Sequence, residues 1–78
     1  MQVVIVQAEH FSNPGRVLKA FRAHSDAIAE AVDLVNIMLK DDGREPCTAE
    51  DWEDALEQLQ DAHGAQYCYV DLVPLEVL

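Results

Sequence analysis

The residues with the most chemistry to offer lie between positions 41 and 61. Nine carboxylates (Asp41, Asp42, Glu45, Glu50, Asp51, Glu53, Asp54, Glu57 and Asp61) stand there against one base, Arg44. Paired carboxylates do general acid–base work when they flank a cleft and the surroundings keep one of them protonated. Glu53 and Glu57 are four residues apart and share a helix face, but the face expected there is convex and solvated, which leaves both ionised. Asp41-Asp42-Gly43 lacks the downstream oxygen ligands of a calcium loop. Three histidines (His10, His24, His63) and two cysteines (Cys47, Cys68) are scattered without the paired spacing of a zinc site. The three glycines form neither a phosphate loop nor a dinucleotide fingerprint. Ser25 stands in His-Ser-Asp, not in the Asp-Ser-Leu setting of an acyl carrier protein. The sequence thus predicts no catalytic residue, metal or cofactor, and points to a protein that binds rather than catalyses.

What it binds follows from charge. The net charge is -10 over 78 residues. The first 25 residues carry Arg16, Lys19 and Arg22 against Glu9, a balance of +2, and the remainder carries -12. Such a surface disfavours nucleic acid and anionic membrane as direct partners and favours a basic protein surface. On a helix, Glu50, Glu53, Asp54, Glu57 and Asp61 gather opposite Trp52, Leu56 and Leu59. At about 1.5 Å per residue the row spans roughly 16 Å, or about one charge per 4 Å. That is close to the ~3.4 Å spacing of phosphates along one DNA strand. A row of this kind can stand in for phosphates in a groove lined by Lys and Arg. The competing reading is a solvated face that only keeps a small protein soluble, because repulsion between neighbouring acids costs just a few tenths of a kcal/mol per pair.

These residues need a scaffold, and one domain over residues 1–78 is the expectation from length. Residues 2–9 read as a strand: Val3, Val4, Ile5 and Val6 are a continuous β-branched run. Ser12-Asn13-Pro14-Gly15 is a turn signal. Residues 16–23 fit either a second strand or the start of a helix that continues through Ile28. The hairpin is preferred because it partners the first strand across a short loop. A helix over 25–40 follows, capped by Ser25 with Asp26, carrying Ile28, Ala31, Val32, Val35, Met38 and Leu39 on one stripe and closed by Gly43. A second helix over 48–63 is expected from a Thr48 cap with Asp51 three residues on, with Trp52, Ala55, Leu56, Leu59 and Ala62 facing inward, His63 as a partner of the helix end and Gly64 as its stop. Residues 66–75 close the chain as a strand, placed at an edge or frayed end by Pro74. The fold class is α+β, ββααβ: a three-stranded, largely antiparallel sheet with the first strand central, packed on two helices. On the last strand Cys68, Val70 and Leu72 share one face and Tyr67, Tyr69 and Val73 the other, so a second apolar face is left for another copy or a partner.

The cysteines form no CxxC pair and read as two reduced thiols. With no secretory pattern at the N-terminus and no apolar run near the roughly 20 residues of a membrane span, the expected location is the cytoplasm.

The run VLKAFRAHSDAIAEAV (17–32), after a short apolar strand and before YVDLVPLE (69–76), resembles a loose architectural pattern in small phage and bacterial proteins. The ββααβ order and acidic charge also look like some small anti-CRISPR proteins of phages. The resemblance is one of architecture, and it carries over no functional residue. It points to a phage or mobile-element protein; the acidic row then suggests an inhibitor or decoy of a basic nucleic-acid-handling protein, such as a CRISPR effector. The binding residues expected are Asp41, Asp42, Glu45, Glu50, Glu53, Asp54, Glu57 and Asp61, with Tyr67 and Tyr69 as a second surface. The alternative is a structural or adaptor module that forms a homodimer through its sheet and uses its charge only for solubility.

Overall fold

The structure is a computed structural model that describes residues 1–12 and 16–77. The element order is β1 (Gln2–Glu9), β2 (Val17–Phe21), α1 (His24–Asp41), α2 (Trp52–His63) and β3 (Tyr69–Glu76). The three strands make one antiparallel sheet in the order β2-β1-β3. The expected ββααβ fold and the central β1 are therefore present. So is the hairpin, in preference to one long helix. Asn13, Pro14 and Gly15, which carried most of the turn signal, lie outside the described residues.

Alternation along the sheet sets which residues meet the helices. Val4, Val6 and Ala8 of β1 are buried and align with Phe21, Lys19 and Val17 of β2, and with Pro74, Leu72 and Val70 of β3. Lys19 is the one inward-register cation, and it reaches Glu30 of α1 at 3.2 Å. From α1 the core takes Ala27, Ala31, Val35, Met38 and Leu39, a stripe at spacings of four and three. Ala27 and Ala31 are fully enclosed, so small side chains let the helix lie close to the sheet, while Ile28 and Val32 sit only partly buried beside them. From α2 the core takes Trp52, Leu56 and Leu59. Ala62, expected to face inward, is exposed because the helix has turned past the core by its last turn.

Helix boundaries differ from expectation at both N-termini. The N-cap of α1 is Ala23, without a side-chain cap, and Asp26 N–H bonds to the Ala23 carbonyl at 3.2 Å; Ser25 lies inside the helix. Residues 49–51 form a separate turn before α2. In it Asp51 Oδ1 accepts from the Thr48 backbone N–H at 2.6 Å, and Glu50 N–H bonds back to Thr48 Oγ1 at 3.3 Å. The Asp51 half of a capping box is thus present, while Thr48 Oγ1 takes the N–H two residues on and Asp51 N–H bonds to the Thr48 carbonyl, closing the turn that leads into the helix. The last strand begins at Tyr69, so Tyr67 belongs to the turn before it.

At the end of α1 the expected glycine closure is present. Arg44 N–H bonds to the Leu39 carbonyl at 2.8 Å and Gly43 N–H to the Lys40 carbonyl at 3.1 Å, with Gly43 at φ 70°. These two bonds are a Schellman motif, which requires a residue at ease with positive φ. Asn36 then pins the loop between the helices, accepting from Cys47 N–H at 2.7 Å.

Candidate functional site

The acidic residues divide into three environments. On α2, Glu53, Asp54, Glu57 and Asp61 are exposed on the side away from Leu56 and Leu59. Glu50 is exposed too, but it stands in the preceding turn, so the helical part of the row runs from Glu53 to Asp61. That is roughly 12 Å, still about one charge per 4 Å.

The α2 row splits between two grooves. Glu53 and Glu57 face β3 across a groove of about 550 Å³ whose wall also includes Asp71 and whose floor is Trp52, Leu56 and Val70. Asp54 lines this groove and also a second one, which it shares with Asp51 and Glu45 against the loop of Gly43, Arg44 and Pro46. Asp71 was not singled out from the sequence. Its only signal was a lone charge between Val70 and Leu72, and its approach to Glu53 and Glu57 comes from the crossing of α2 over β3. The strand β3 pairs with β1 alone among the described strands, so the first groove runs beside the sheet edge.

The third environment is the C-terminal end of α1, where Asp41 and Asp42 are tied up within the fold. Two carboxylates at a helix C-terminus oppose the helix dipole, and Arg44 with two neighbouring imidazoles lies against them. Asp41 Oδ2 lies 2.8 Å from His10 Nε2. Asp42 Oδ1 lies 3.0 Å from His63 Nε2, and its other oxygen accepts from Arg44. Hydrogen bonds from Arg44, then from His63, hold the Asp42 carboxyl below its ordinary value. Between the two imidazoles sits Phe11, stacked on His63 at 3.8 Å and 5° and on His10 at 4.6 Å. The cluster joins the segment after β1 to the ends of both helices. Ser12 N–H bonds to His10 Nδ1 at 3.0 Å, which places the hydrogen of the neutral ring on Nε2. Sequence spacing gave no hint of this assembly, because its members come from three separated segments.

Tyr67 is exposed beside Gly64, and Tyr69 is half-buried on the outer face of β3 opposite Glu9. Neither joins the α2 row, so the expected set divides into an α2 surface (Glu53, Asp54, Glu57, Asp61), loop acids (Glu45, Glu50), internally paired acids (Asp41, Asp42) and a separate tyrosine region. Both cysteines are buried and reduced. Burial first, and then the charge of Asp51 near Cys47 and of Asp42 near Cys68, pushes each thiol up from its ordinary value. Cys68 Sγ lies 3.6 Å from the Gly64 carbonyl. Among the described residues no group of three or more His, Cys, Asp and Glu is placed to hold a metal ion, and no helix is long and apolar enough to cross a membrane. Comparison with protein-family models, curated proteins and solved structures finds no match.

Proposed function

We propose that this chain is a non-enzymatic binding protein, a small acidic inhibitor or decoy that engages the basic surface of a nucleic-acid-handling protein. The observation that supports this most is the pairing of charge with shape beside β3. Glu53 and Glu57 border a groove with a Trp52, Leu56 and Val70 floor, and the exposed row continues along α2 to Asp61. Lys and Arg side chains suit such a groove: their charged ends meet the carboxylates and their methylene stems cover the apolar floor. Each exposed ion pair contributes little by itself. The row therefore acts collectively, speeding encounter and selecting a basic partner, and salt weakens it.

In its most specific form this is an anti-CRISPR-like, phage anti-defence role in the cytoplasm. That form rests on the architectural resemblance, while the acidic groove supports the broader reading. The test compares immobilised wild-type protein with the Glu53→Lys/Glu57→Lys double variant in a bacterial lysate. Both residues are exposed, so the fold persists, and reversal adds repulsion as well as removing attraction. The wild type is expected to retain a basic protein at about 0.1 M salt and lose it at higher salt, and the variant to retain none. Equal retention by both proteins at physiological salt defeats the proposal.

A further inference from the structure

The sheet has a second face that α1 and α2 do not cover. By strand alternation it carries Val3 and Ile5 of β1, Val73 and Leu75 of β3, and Leu18 and Ala20 of β2. The facing pairs Val3–Leu75 and Ile5–Val73 contain no charge, and Met1 and Val77 extend the same two rows, joined by a 2.7 Å backbone bond. Leu18 is 64%, Leu75 51% and Val73 39% exposed. An antiparallel sheet with one solvated face ordinarily alternates apolar-in with polar-out. This chain has 15 acids to place, yet among the outward-register residues of the strands only Glu9 and Asp71 are acidic, both toward one end.

We propose that this face is a homodimer interface, covered by the same face of a second copy in a two-fold sheet-on-sheet sandwich. Charge placement argues for a second copy despite a net charge of -10 per chain. The acidic α2 layer lies on the other side of the sheet, so face-to-face packing, with sheets about 10 Å apart, leaves the two α2 layers outermost. Their separation then exceeds the Debye length of about 8 Å, and the repulsion is screened. A two-fold axis crossing the strands near Ile5 points the Glu9 and Asp71 ends of the two sheets in opposite directions. Area argues the same way. The lower end of specific interfaces needs about 600 Å² from each copy, roughly an eighth of the 5054 Å² accessible surface. A face of three strands, about 26 Å along β1 and about 15 Å across, projects to roughly 390 Å², and its projecting Leu and Val side chains add accessible area that brings it toward this lower end. An interface of that size gives a dissociable dimer. The dimer displays two acidic grooves on opposite sides, so a partner with two basic sites is held bivalently.

Analytical ultracentrifugation of the full chain between about 1 and 500 µM tests this. The wild type is expected to pass from monomer to dimer as concentration rises. Val73→Glu/Leu75→Glu and, separately on β2, Leu18→Glu are each expected to weaken dimerisation at least tenfold, with a cooperative thermal unfolding transition retained. The Glu53→Lys/Glu57→Lys variant is expected to dimerise like the wild type. A wild type that stays monomeric at 500 µM overturns the proposal. So does a dimer unaffected by Leu18→Glu, or one abolished by the α2 charge reversal.

Discussion

Replacing Leu59 by Ala tests the packing that holds the acidic helix in place. Leu59 is fully enclosed, whereas Leu56, 7% exposed, forms part of a groove floor. Truncating an enclosed leucine removes its transfer free energy and leaves a cavity that the surroundings only partly fill, a loss of about 2–5 kcal/mol. A domain of 78 residues has a total stability of roughly 4–12 kcal/mol at 0.05–0.15 kcal/mol per residue. The substitution therefore removes a large part of it. With each kcal/mol worth about 4–8 °C at this size, the thermal midpoint should fall by roughly 8–40 °C. Leu56→Ala should fall less, because the groove lets water enter the space vacated. Gln58→Ala, on the exposed side of the same helix, should stay within about 0.5 kcal/mol of the wild type. Circular dichroism during heating and urea titration measures all three. A Leu59→Ala midpoint within a few degrees of the wild type, or a larger loss at Leu56, refutes the assigned packing of α2.

Acid sensitivity should depend on Asp42. Its carboxyl titrates below the ordinary 3.8 in the folded chain, so the stabilisation is complete above about that pH and is lost as pH falls through the lower folded value. Asp42→Asn should therefore lower stability at pH 6 and flatten its decline on acidification, read from urea midpoints between about pH 6 and 2; parallel curves for both proteins contradict the assignment. The two thiols should react slowly with a disulfide reagent at neutral pH and quickly in urea, since burial hinders access and disfavours the thiolate. Cys68, fully enclosed, should be the slower of the two, with mass spectrometry identifying the labelled residue.

Most of the fold was legible because its signals are local. The β-branched run of β1, the stripe of α2 and the Gly43 stop each follow from neighbouring residues and a period. The helix starts were harder. Ser25 and Asp26 look like a cap, but the helix begins at His24 with Ala23 as an N-cap that offers no side-chain bond. Asp51 accepts from Thr48 N–H as a capping box requires, yet the chain completes one separate turn and α2 begins at Trp52 with Asp51 as its N-cap. The candidate site was legible only as a set of charges. That Asp54 lies between two grooves, that β3 comes beside Glu57 at Asp71, and that Asp42 is held by His63 and Arg44 depend on how α2 crosses β3 and meets the end of α1. Those contacts are non-local, and no spacing in the chain encodes them.

The central claim is that the carboxylates of α2 occupy a place meant for nucleic acid phosphates. Competition on the isolated partner tests it most directly. The basic protein retained by the wild-type chain is purified, and the affinity of the chain for it is measured with and without saturating nucleic acid of the kind it handles. Mutually exclusive binding is expected: nucleic acid displaces the chain, and the Glu53→Lys/Glu57→Lys variant fails to bind at all. Simultaneous binding of nucleic acid and chain, with the affinity of each unchanged by the other, contradicts it.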